Sequence, residues 1–372
     1  MKFRSDGCCK TTAKTLWLGT WNVFRRAKVK GFLTMKHFYI LALGLTIFAL
    51  PACHRDAHEP LPAFYHWKTQ LSLSSEEREL LSGMKARRLY VRFFDVDWDE
   101  AYDVPAPLAE LKIDTARLEG LEIVPCIFIT NRCMEKLPAE GTAELAQRIW
   151  QKTETLAAQY PGLRFSEFQA DCDWTAGTRE RYFVLLESLR KILNDKNIAL
   201  SVTVRLHQFS SPETTGVPPA DRGMLMCYNT GDLENWDEEN SILRAEEAAL
   251  YFKNAPPYPL PLDGALPVFS WGVLFRNDQM IRLIHDLQPE QLADTTRFVC
   301  TAPHRYKVVK STWMEGHYLY AGDRLRLELP DPEDVKQCAQ WLKQAMQRSS
   351  DQSVLAFYHL DAGALRYFKD SK

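Results

Sequence analysis

The chain has 372 residues, of which 46% are hydrophobic and 12% aromatic, enough apolar material for one large barrel or two ordinary domains. Its 46 basic and 48 acidic residues give a formal net charge of −2. This balance argues against a nucleic-acid partner, and a nearly neutral, aromatic-rich chain fits a small-molecule or sugar ligand better.

The N-terminal part of the chain is typical of an exported protein. Residues 35–53 contain a Met, a Lys, an apolar run and then Leu50-Pro51-Ala52-Cys53, in the order of a secretory signal and its cleavage site. These last four residues resemble a bacterial lipobox. The resemblance implies that lipid on Cys53 anchors the protein to a membrane, on the periplasmic or cell-surface face. A spanning anchor or a buried helix is the alternative.

The segments on either side of this signal have different characters. Residues 1–34 are basic, and they represent either an upstream mis-start, with translation beginning at Met35, or an extended n-region. Residues 54–62 are polar and contain proline, which predicts a tether. Residues 63–372 are then expected to form the folded domain.

Eight short apolar or alternating runs in that domain predict β-strands. They are Ala63–Trp67, Arg88–Val96, Glu122–Ile129, Arg164–Ala170, Ala199–Val204, Gly223–Tyr228, Pro267–Trp271 and Val354–His359.

Amphipathic helical patterns fill most of the gaps between these runs. They cover Ser75–Met84, Thr142–Gln159, Thr178–Leu193, Glu238–Lys253 and Pro332–Gln347. Eight strands that alternate with helices predict a (β/α)8 barrel, the TIM-barrel fold. An open doubly wound sheet is the runner-up, but no Gly-rich phosphate loop follows the first strand.

The gap between the seventh and eighth runs is too long for one helix. A helix predicted over Asp278–Leu287 is followed by a stretch of alternating polarity, with turn signals at Gly316 and at Ala321–Asp323. We therefore predict a β-rich insertion between strands 7 and 8, at about residues 290–330. In a barrel this loop lies at the C-terminal face, where active sites form.

The two-residue period of a β-strand divides strand 4 into two faces. Glu167, Gln169, Asp171 and Asp173 share one face, which we expect to point into the barrel. Trp174 falls on the opposite face, towards the surrounding helices. The two aspartates come at the C-terminal end of the strand, where barrel enzymes place their chemistry.

Strand 2 carries a second acidic pair at its C-terminal end. Strict alternation places Asp95 and Asp97 on one face together with Val91 and Phe93. Clustered carboxylates raise one another's pKa, so that one can stay protonated while its neighbour stays charged, as glycoside hydrolysis requires. The alternative is that these acids cap helices or pair with arginines.

Neither a metal nor another cofactor is predicted. His66, His207 and His359 come from different strands and have no metal-motif spacing. The six cysteines after Cys53 form no CxxC pair, which argues against a zinc site.

Two segments resemble glycoside hydrolase family 18, the chitinase-like barrels. The sequence F-Q-A-D-C-D-W-T on strand 4 resembles the family's D-x-x-D-x-D-x-E, and M-C-Y-N at Met226–Asn229 resembles its strand-6 M-x-Y-[DN]. The resemblance implies that Asp173 orients an N-acetyl group of the substrate. It also implies that Tyr228 and its neighbour Asn229 contact that group. The pattern as a whole is closer to an uncharacterised group of bacterial barrel lipoproteins distantly related to that family.

The chain departs from the family at the position of the catalytic acid. Aligning Asp171 and Asp173 with the inner acids of the signature places Thr175 where the family has Glu, and a Thr cannot protonate a leaving group. The proton donor would have to come from Asp97, Asp99, Glu100 or Glu315.

Two functions fit these observations: a membrane-anchored glycoside hydrolase, or a non-catalytic carbohydrate-binding protein on a barrel that has lost its acid. Both take a glycan or oligosaccharide as ligand. The catalytic candidates are Asp95, Asp97, Asp171, Asp173 and Tyr228, and the substrate-binding candidates are Gln169, Arg205, Asn229, Trp271 and His359. An enzyme should hold two carboxyls either about 5 Å or roughly 6.5–9.5 Å apart across a cleft. A binder should show aromatic platforms and acids paired with Arg.

Overall fold

A computed structural model describes residues 59–114, 118–160, 162–347 and 352–370 of the chain. The predicted signal segment, the lipidation candidate Cys53 and the first part of the tether lie outside these residues. Within the described ranges, no helix is both long enough and apolar enough to cross a membrane.

Eight parallel strands close into a barrel. They are β1 (Leu61–His66), β2 (Arg88–Asp99), β3 (Glu122–Ile129), β4 (Glu167–Asp171), β5 (Ala199–Arg205), β6 (Arg222–Met226), β7 (Leu262–Pro267) and β8 (Val354–Tyr358). Each strand pairs with the next, and β1 also pairs with β8, so the sheet has no free edge. The predicted (β/α)8 fold is confirmed, and the open-sheet alternative is excluded.

Helices connect most of the strands and cover the outside of the barrel. The α-helices are Ser75–Gly83, Asn131–Lys136, Thr142–Ala158, Arg179–Asn194, Leu206–Ser210, Pro212–Thr215, Ala245–Phe252, Pro332–Met346 and Ala362–Asp370, and short 3₁₀ turns lie at Ala139–Gly141 and Pro289–Leu292. Local signals set several of the starts. Ser74 and Glu77 form a capping box, and Asp331 caps the helix that begins at Pro332.

The helix predicted from Glu238 begins seven residues later, at Ala245. The preceding residues form a loop that folds back on the end of β6, where the backbone N–H of Asn229 donates to the carbonyl of Ile242 at 2.6 Å. This tertiary contact overrides the helical tendency of the acidic stretch.

The seventh barrel strand lies earlier in the chain than predicted. It covers Leu262–Pro267 rather than Pro267–Trp271. Asp263 and Gly264 interrupt its apolar pattern, because Asp263 forms a buried ion pair with Arg222 at 2.6 Å and Gly264 lies against Leu342. Such residues are rare in strands unless a specific partner requires them.

The β-rich insertion between β7 and β8 is confirmed, and its strands begin at Trp271. Its main sheet contains Trp271–Arg276, Gln279–His285, Phe298–Ala302, Arg305–Val308 and Arg324–Glu328, and a hairpin joins Thr312–Met314 to His317–Leu319. The helix predicted over Asp278–Leu287 is wrong, since most of it is the second of these strands. Asn277 and Asp278 both have positive φ, which forms the tight hairpin turn before it.

Three shorter strands lie beside the barrel at Gln70–Leu71, Val104–Leu108 and Lys112–Ile113. The second of these pairs antiparallel with the end of β2, from Asp95 to Asp99. The insertion has its own small apolar core, separate from the main core of the barrel.

A β-bulge changes which residues of β2 face the lumen. The register shifts around Phe93, so that Arg92 and Asp95 lie on the same side. Asp95 pairs with Phe128, which in turn pairs with Asp171, and paired residues of neighbouring strands point the same way. The expectation that Asp95 shares a face with the alternate apolar residues before it is wrong, because the extra residue reverses the alternation.

Candidate functional site

Asp171, at the end of β4, is a buried carboxylate in the upper part of the lumen. It is 6% exposed and accepts a hydrogen bond from the hydroxyl of Thr203 on β5 at 2.6 Å. Burial raises the pKa of Asp171 to about 6. The nearby charge of Asp173 acts in the same direction, and Arg205 and Thr203 oppose it. The side chain is therefore close to half protonated near pH 6.

Asp173 lies two residues further on and is held by an arginine. Its carboxylate accepts a charged hydrogen bond from Nε of Arg205, which ends β5. About half of the Asp173 side chain remains exposed, compared with 22% of the Arg205 side chain. The pair therefore presents one charged surface to solvent at the barrel mouth.

The two acids of β2 are also paired with arginines. Asp95 forms an ion pair with Arg92, whose Nε donates to it at 2.7 Å. Asp97 accepts from Arg132 and, at 2.6 Å, from the hydroxyl of Thr130. These hydrogen bonds lower the pKa of Asp97 to about 2, the bond from Arg132 contributing most. Asp97 is thus a permanently charged group at neutral pH, which excludes it as the missing acid.

Aromatic rings line the mouth between the Asp173–Arg205 pair and the Asp95–Arg92 pair. Tyr228 is 7% exposed, and its hydroxyl donates to the sulfur of Met226 at 3.1 Å. Its ring centre lies 5.3 Å from that of Tyr358, and the Tyr358 ring lies 5.7 Å from Trp67. Tyr358 and Trp67 are each partly exposed. Burial raises the pKa of Tyr228, so the phenol stays neutral at physiological pH.

Cation–π contacts join the charged pairs to the rings. The guanidinium of Arg205 lies 5.9 Å from the centre of the Tyr228 ring, and that of Arg92 lies 5.9 Å from Trp67. A continuous series of contacts therefore runs around the mouth. We call it the mouth rim; its members are Asp173, Arg205, Tyr228, Tyr358, Trp67, Arg92 and Asp95.

Of the five predicted binding residues, only Arg205 belongs to the mouth rim. Gln169 has no exposed surface, and it bonds to the hydroxyls of Tyr65 and Ser201 inside the barrel. Trp271 is 6% exposed and donates its indole N–H to Glu328 of the insertion at 2.6 Å. Asn229 is exposed beside the rim, with the positive φ that Asn tolerates in turns.

His359 belongs to a different group of side chains. Its Nε2 lies 3.3 Å from Oδ2 of Asp361, and one donor atom each from His359, Asp361 and Asp286 lie within 4.8 Å of one another. Burial lowers the pKa of His359 to about 4, so the imidazole is neutral. The other two histidines considered as metal ligands are His66 and His207. His66 is 1% exposed, and burial lowers the pKa of His207.

Thr175 occupies a surface loop whose hydrogen bonds are local. Its backbone N–H donates to the hydroxyl of Thr178 at 2.9 Å, and its side chain is exposed. Trp174 next to it is 2% exposed and stacks on Tyr182 outside the barrel, as strand parity predicts. Position 175 itself therefore presents a hydroxyl and not a carboxyl group.

The remaining candidates for the proton donor are also bound to protein groups. Asp99 accepts from the backbone N–H of Ala101 at 2.8 Å, and Glu100 pairs with Lys136. Glu315 is exposed on the insertion and accepts from Gln291 at 2.6 Å.

The candidate residues chosen from the sequence do not include three members of the mouth rim, Arg92, Trp67 and Tyr358, or the two acids beside His359. The position of Arg92 beside Asp95 depends on the β-bulge at Phe93, and no sequence pattern indicates that bulge. Trp67 was visible as the last residue of the first run but carried no motif. Asp286 and Asp361 lie 75 positions apart and meet only because the insertion returns to the end of β8.

Comparison with protein-family models gives no match, and no curated protein matches the chain. Among solved structures, the chain is similar to the C-terminal domain of a putative chitinase from Desulfitobacterium hafniense, with a TM-score of 0.51 and 10% identity over 84% of this chain and 97% of that one. It is also similar to a chitinase from Chromobacterium violaceum (TM-score 0.49, 12% identity, 84% and 98% covered) and to the spore cortex-lytic enzyme SleL of Bacillus megaterium (TM-score 0.49, 11% identity, 84% and 73% covered). At such low identity the likeness concerns the fold: the chain has a chitinase-like barrel.

Proposed function

We propose that the chain is a carbohydrate-binding protein built on a chitinase-like barrel, and that it binds an oligosaccharide at the mouth rim without hydrolysing it. The observation that carries the proposal is the arrangement of the rim itself. Two partly exposed rings, Trp67 and Tyr358, lie between two Arg–Asp pairs at the C-terminal face.

This arrangement matches the chemistry of a sugar. The faces of a pyranose ring are apolar and pack on aromatic rings, while its hydroxyl and amide groups require directed hydrogen bonds. Arg205 and Asp173 offer charged donors and acceptors within reach of the Tyr228 ring. The resemblance of Met226–Asn229 to the strand-6 motif makes N-acetylated amino sugars the first ligands to test.

The absence of hydrolysis follows from how the acids are held. Glycosidases need one carboxyl free to donate a proton and a second free to attack or to activate water. Here the four candidate aspartates of β2 and β4 are bonded to an arginine or, for Asp171, to Thr203 in a buried position. Position 175 offers a hydroxyl, which is far too weak an acid.

Calorimetric titration with N-acetylglucosamine oligomers of increasing length, followed by other bacterial glycans, tests the proposal. Arg205→Gln should weaken binding at least about tenfold, since it removes one charged hydrogen-bonding group from the rim. Arg276→Gln is the matched control, because Arg276 also pairs with an Asp and lies over a tyrosine ring, but in the insertion. Mass spectrometry of the same samples should find the oligomers intact.

A hydrolase with a replaced acid is the second candidate, and the raised pKa of Asp171 favours it. It predicts shortened oligomers and loss of their formation in Asp171→Asn. Binding without cleavage supports the first proposal, and no binding of any glycan would contradict both.

We also propose, from the sequence alone, that lipid on Cys53 holds this domain at a membrane surface facing out of the cytoplasm. The lipobox-like residues Leu50–Cys53 support it. Metabolic labelling with a fatty acid should mark the wild-type chain and not the Cys53→Ser variant. Labelling of both chains equally would contradict the assignment.

A further inference from the structure

A second group of polar side chains lies where the insertion meets the end of β8. His359 and Asp361 directly follow β8, and Asp286 follows the insertion strand Gln279–His285. One ligand atom from each residue lies within 4.8 Å of the other two. Among the described residues, this is the group of three His, Cys, Asp or Glu side chains close enough together to hold a metal ion. The backbone N–H of Asp286 donates to the carbonyl of Ser270 at 3.0 Å, which holds the turn in place.

The hydrogen bonds of these side chains are incomplete. Asp361 has no exposed surface, and its Oδ1 accepts from the backbone N–H of Ala364 at 2.8 Å. Its Oδ2 accepts from no fixed donor and lies 3.3 Å from Nε2 of His359, whose Nδ1 has no partner. The carboxyl of Asp286 is close enough to share a proton with Asp361, and that proton is what a bound cation would replace. A buried carboxylate oxygen without a donor costs free energy, so a native site normally supplies a partner for it.

We propose that Asp286, His359 and Asp361 bind a divalent first-row metal ion such as Zn²⁺ or Mn²⁺. Ligand atoms about 2.1 Å from a tetrahedral ion are about 3.4 Å from one another. The 3.3 Å between Nε2 of His359 and Oδ2 of Asp361 agrees with that spacing. One imidazole with two carboxylates is a donor set that suits zinc and manganese better than calcium or magnesium.

The surrounding charges leave room for a cation. Among the described residues, neither acid forms a salt bridge with a lysine or an arginine, and the charge of the exposed Lys68 acts on Asp286 and His359 without one. His66, which is 1% exposed and whose Nδ1 has no partner, lies next to His359 and adds a further nitrogen to the neighbourhood. Bound metal would join the insertion to the barrel across 75 residues of chain, and so would stabilise the folded protein.

The test is calorimetric titration of the chelator-treated protein with Zn²⁺, Mn²⁺ and Ca²⁺ in separate experiments. We expect one Zn²⁺ or Mn²⁺ per chain, with a dissociation constant of about 10 µM or tighter. Asp286→Asn should weaken binding by at least about tenfold. This variant keeps the size of the side chain, and Asn tolerates the positive φ of 58° at position 286.

Asp278→Asn is the matched control, because it lies in the same hairpin, has a φ of 62° and is remote from the cluster. It should bind the metal as the wild type does. The metal should raise the melting temperature of the wild type and of this control, and should not raise that of Asp286→Asn. His359→Gln gives an independent check on the imidazole.

Three outcomes would overturn the proposal. The first is that no ion binds below about 100 µM, in which case a proton or Lys68 satisfies the carboxylates. The second is that Asp286→Asn binds as tightly as the wild type, which would place the metal on other histidines or on a cysteine. The third is a preference for Ca²⁺ that His359→Gln leaves unchanged.

Discussion

Arg205 donates a charged hydrogen bond to Asp173, and this contact joins the ends of β4 and β5 at the barrel mouth. The same guanidinium lies 5.9 Å from the centre of the Tyr228 ring, just after the end of β6. The acid that the chitinase-like signature places on strand 4 is therefore part of a closed polar contact. This is why we propose a binding surface where the sequence motif resembles a catalytic one.

The buried carboxyl of Asp171 predicts a specific dependence of stability on pH. Its pKa is about 6 in the folded chain, above its ordinary value of 3.8, so the folded state binds more protons between about pH 4 and pH 6. The contribution of Asp171 to stability is thus fully present below pH 4 and is lost as the pH rises through 6. The whole effect is about 3 kcal/mol.

Asp171→Asn removes this titration and keeps an oxygen that accepts from Thr203. The melting temperature of the variant relative to wild type should rise between pH 4 and pH 7 and then level off. Taking the difference cancels the groups that titrate in both proteins. A difference that stays constant from pH 4 to pH 8 would show that Asp171 titrates as an ordinary carboxyl.

Trp67→Ala tests the aromatic part of the mouth rim. Loss of this partly exposed ring should weaken glycan binding by about tenfold or more, as truncation of an aromatic contact residue commonly does. Trp313→Ala is the matched control, because Trp313 is 69% exposed on the insertion hairpin. Isothermal titration of both variants measures the effect. Equal weakening in the two would mean that the sugar contacts the insertion instead.

Asp97→Asn tests whether the strand-2 acids have a structural role. The variant loses the ion pair with Arg132, and we expect a small loss of stability at pH 7, because half of the Arg132 side chain is exposed and solvent screens the pair. The pKa of Asp97 is lowered to about 2, so its contribution is present above about pH 4 and is lost as the pH falls through 2. Urea unfolding at pH 7 measures the loss, and glycan affinity should change less than about twofold.

Thr175→Glu tests whether one substitution restores catalysis. We expect no hydrolysis of N-acetylglucosamine oligomers, because Asp173 stays bonded to Arg205 and cannot orient an N-acetyl group. The side chain at position 175 is exposed, so the variant should fold. Product analysis by mass spectrometry after prolonged incubation gives the answer. Measurable turnover would show that the rest of the catalytic machinery is intact.

The barrel could be predicted from the sequence because its strands are short apolar runs between amphipathic helices. The exceptions have physical causes. β7 contains Asp263 and Gly264, which interrupt the apolar pattern of a buried strand. Asp263 pairs with Arg222, and Gly264 leaves space for Leu342. The insertion strand after Asp278 alternates poorly, since one of its faces is largely exposed, and its sequence pattern therefore resembles that of a helix.

The site was predictable only in part. Asp171, Asp173, Arg205 and Tyr228 fall at strand ends, and topology alone brings strand ends together. The partners that decide their chemistry are set by tertiary structure. The bulge at Phe93 that aligns Arg92 with Asp95, and the return of Asp286 to His359, depend on register and loop path, which no local pattern encodes.

The most direct test of the central claim is a crystal structure of the protein soaked with the longest N-acetylglucosamine oligomer that binds. We predict an intact oligosaccharide with a sugar ring against Trp67 or Tyr358 and a polar group within hydrogen-bond distance of Arg205 or Asp173. A cleaved product at the mouth would contradict the account, as would an oligosaccharide seated away from the mouth rim.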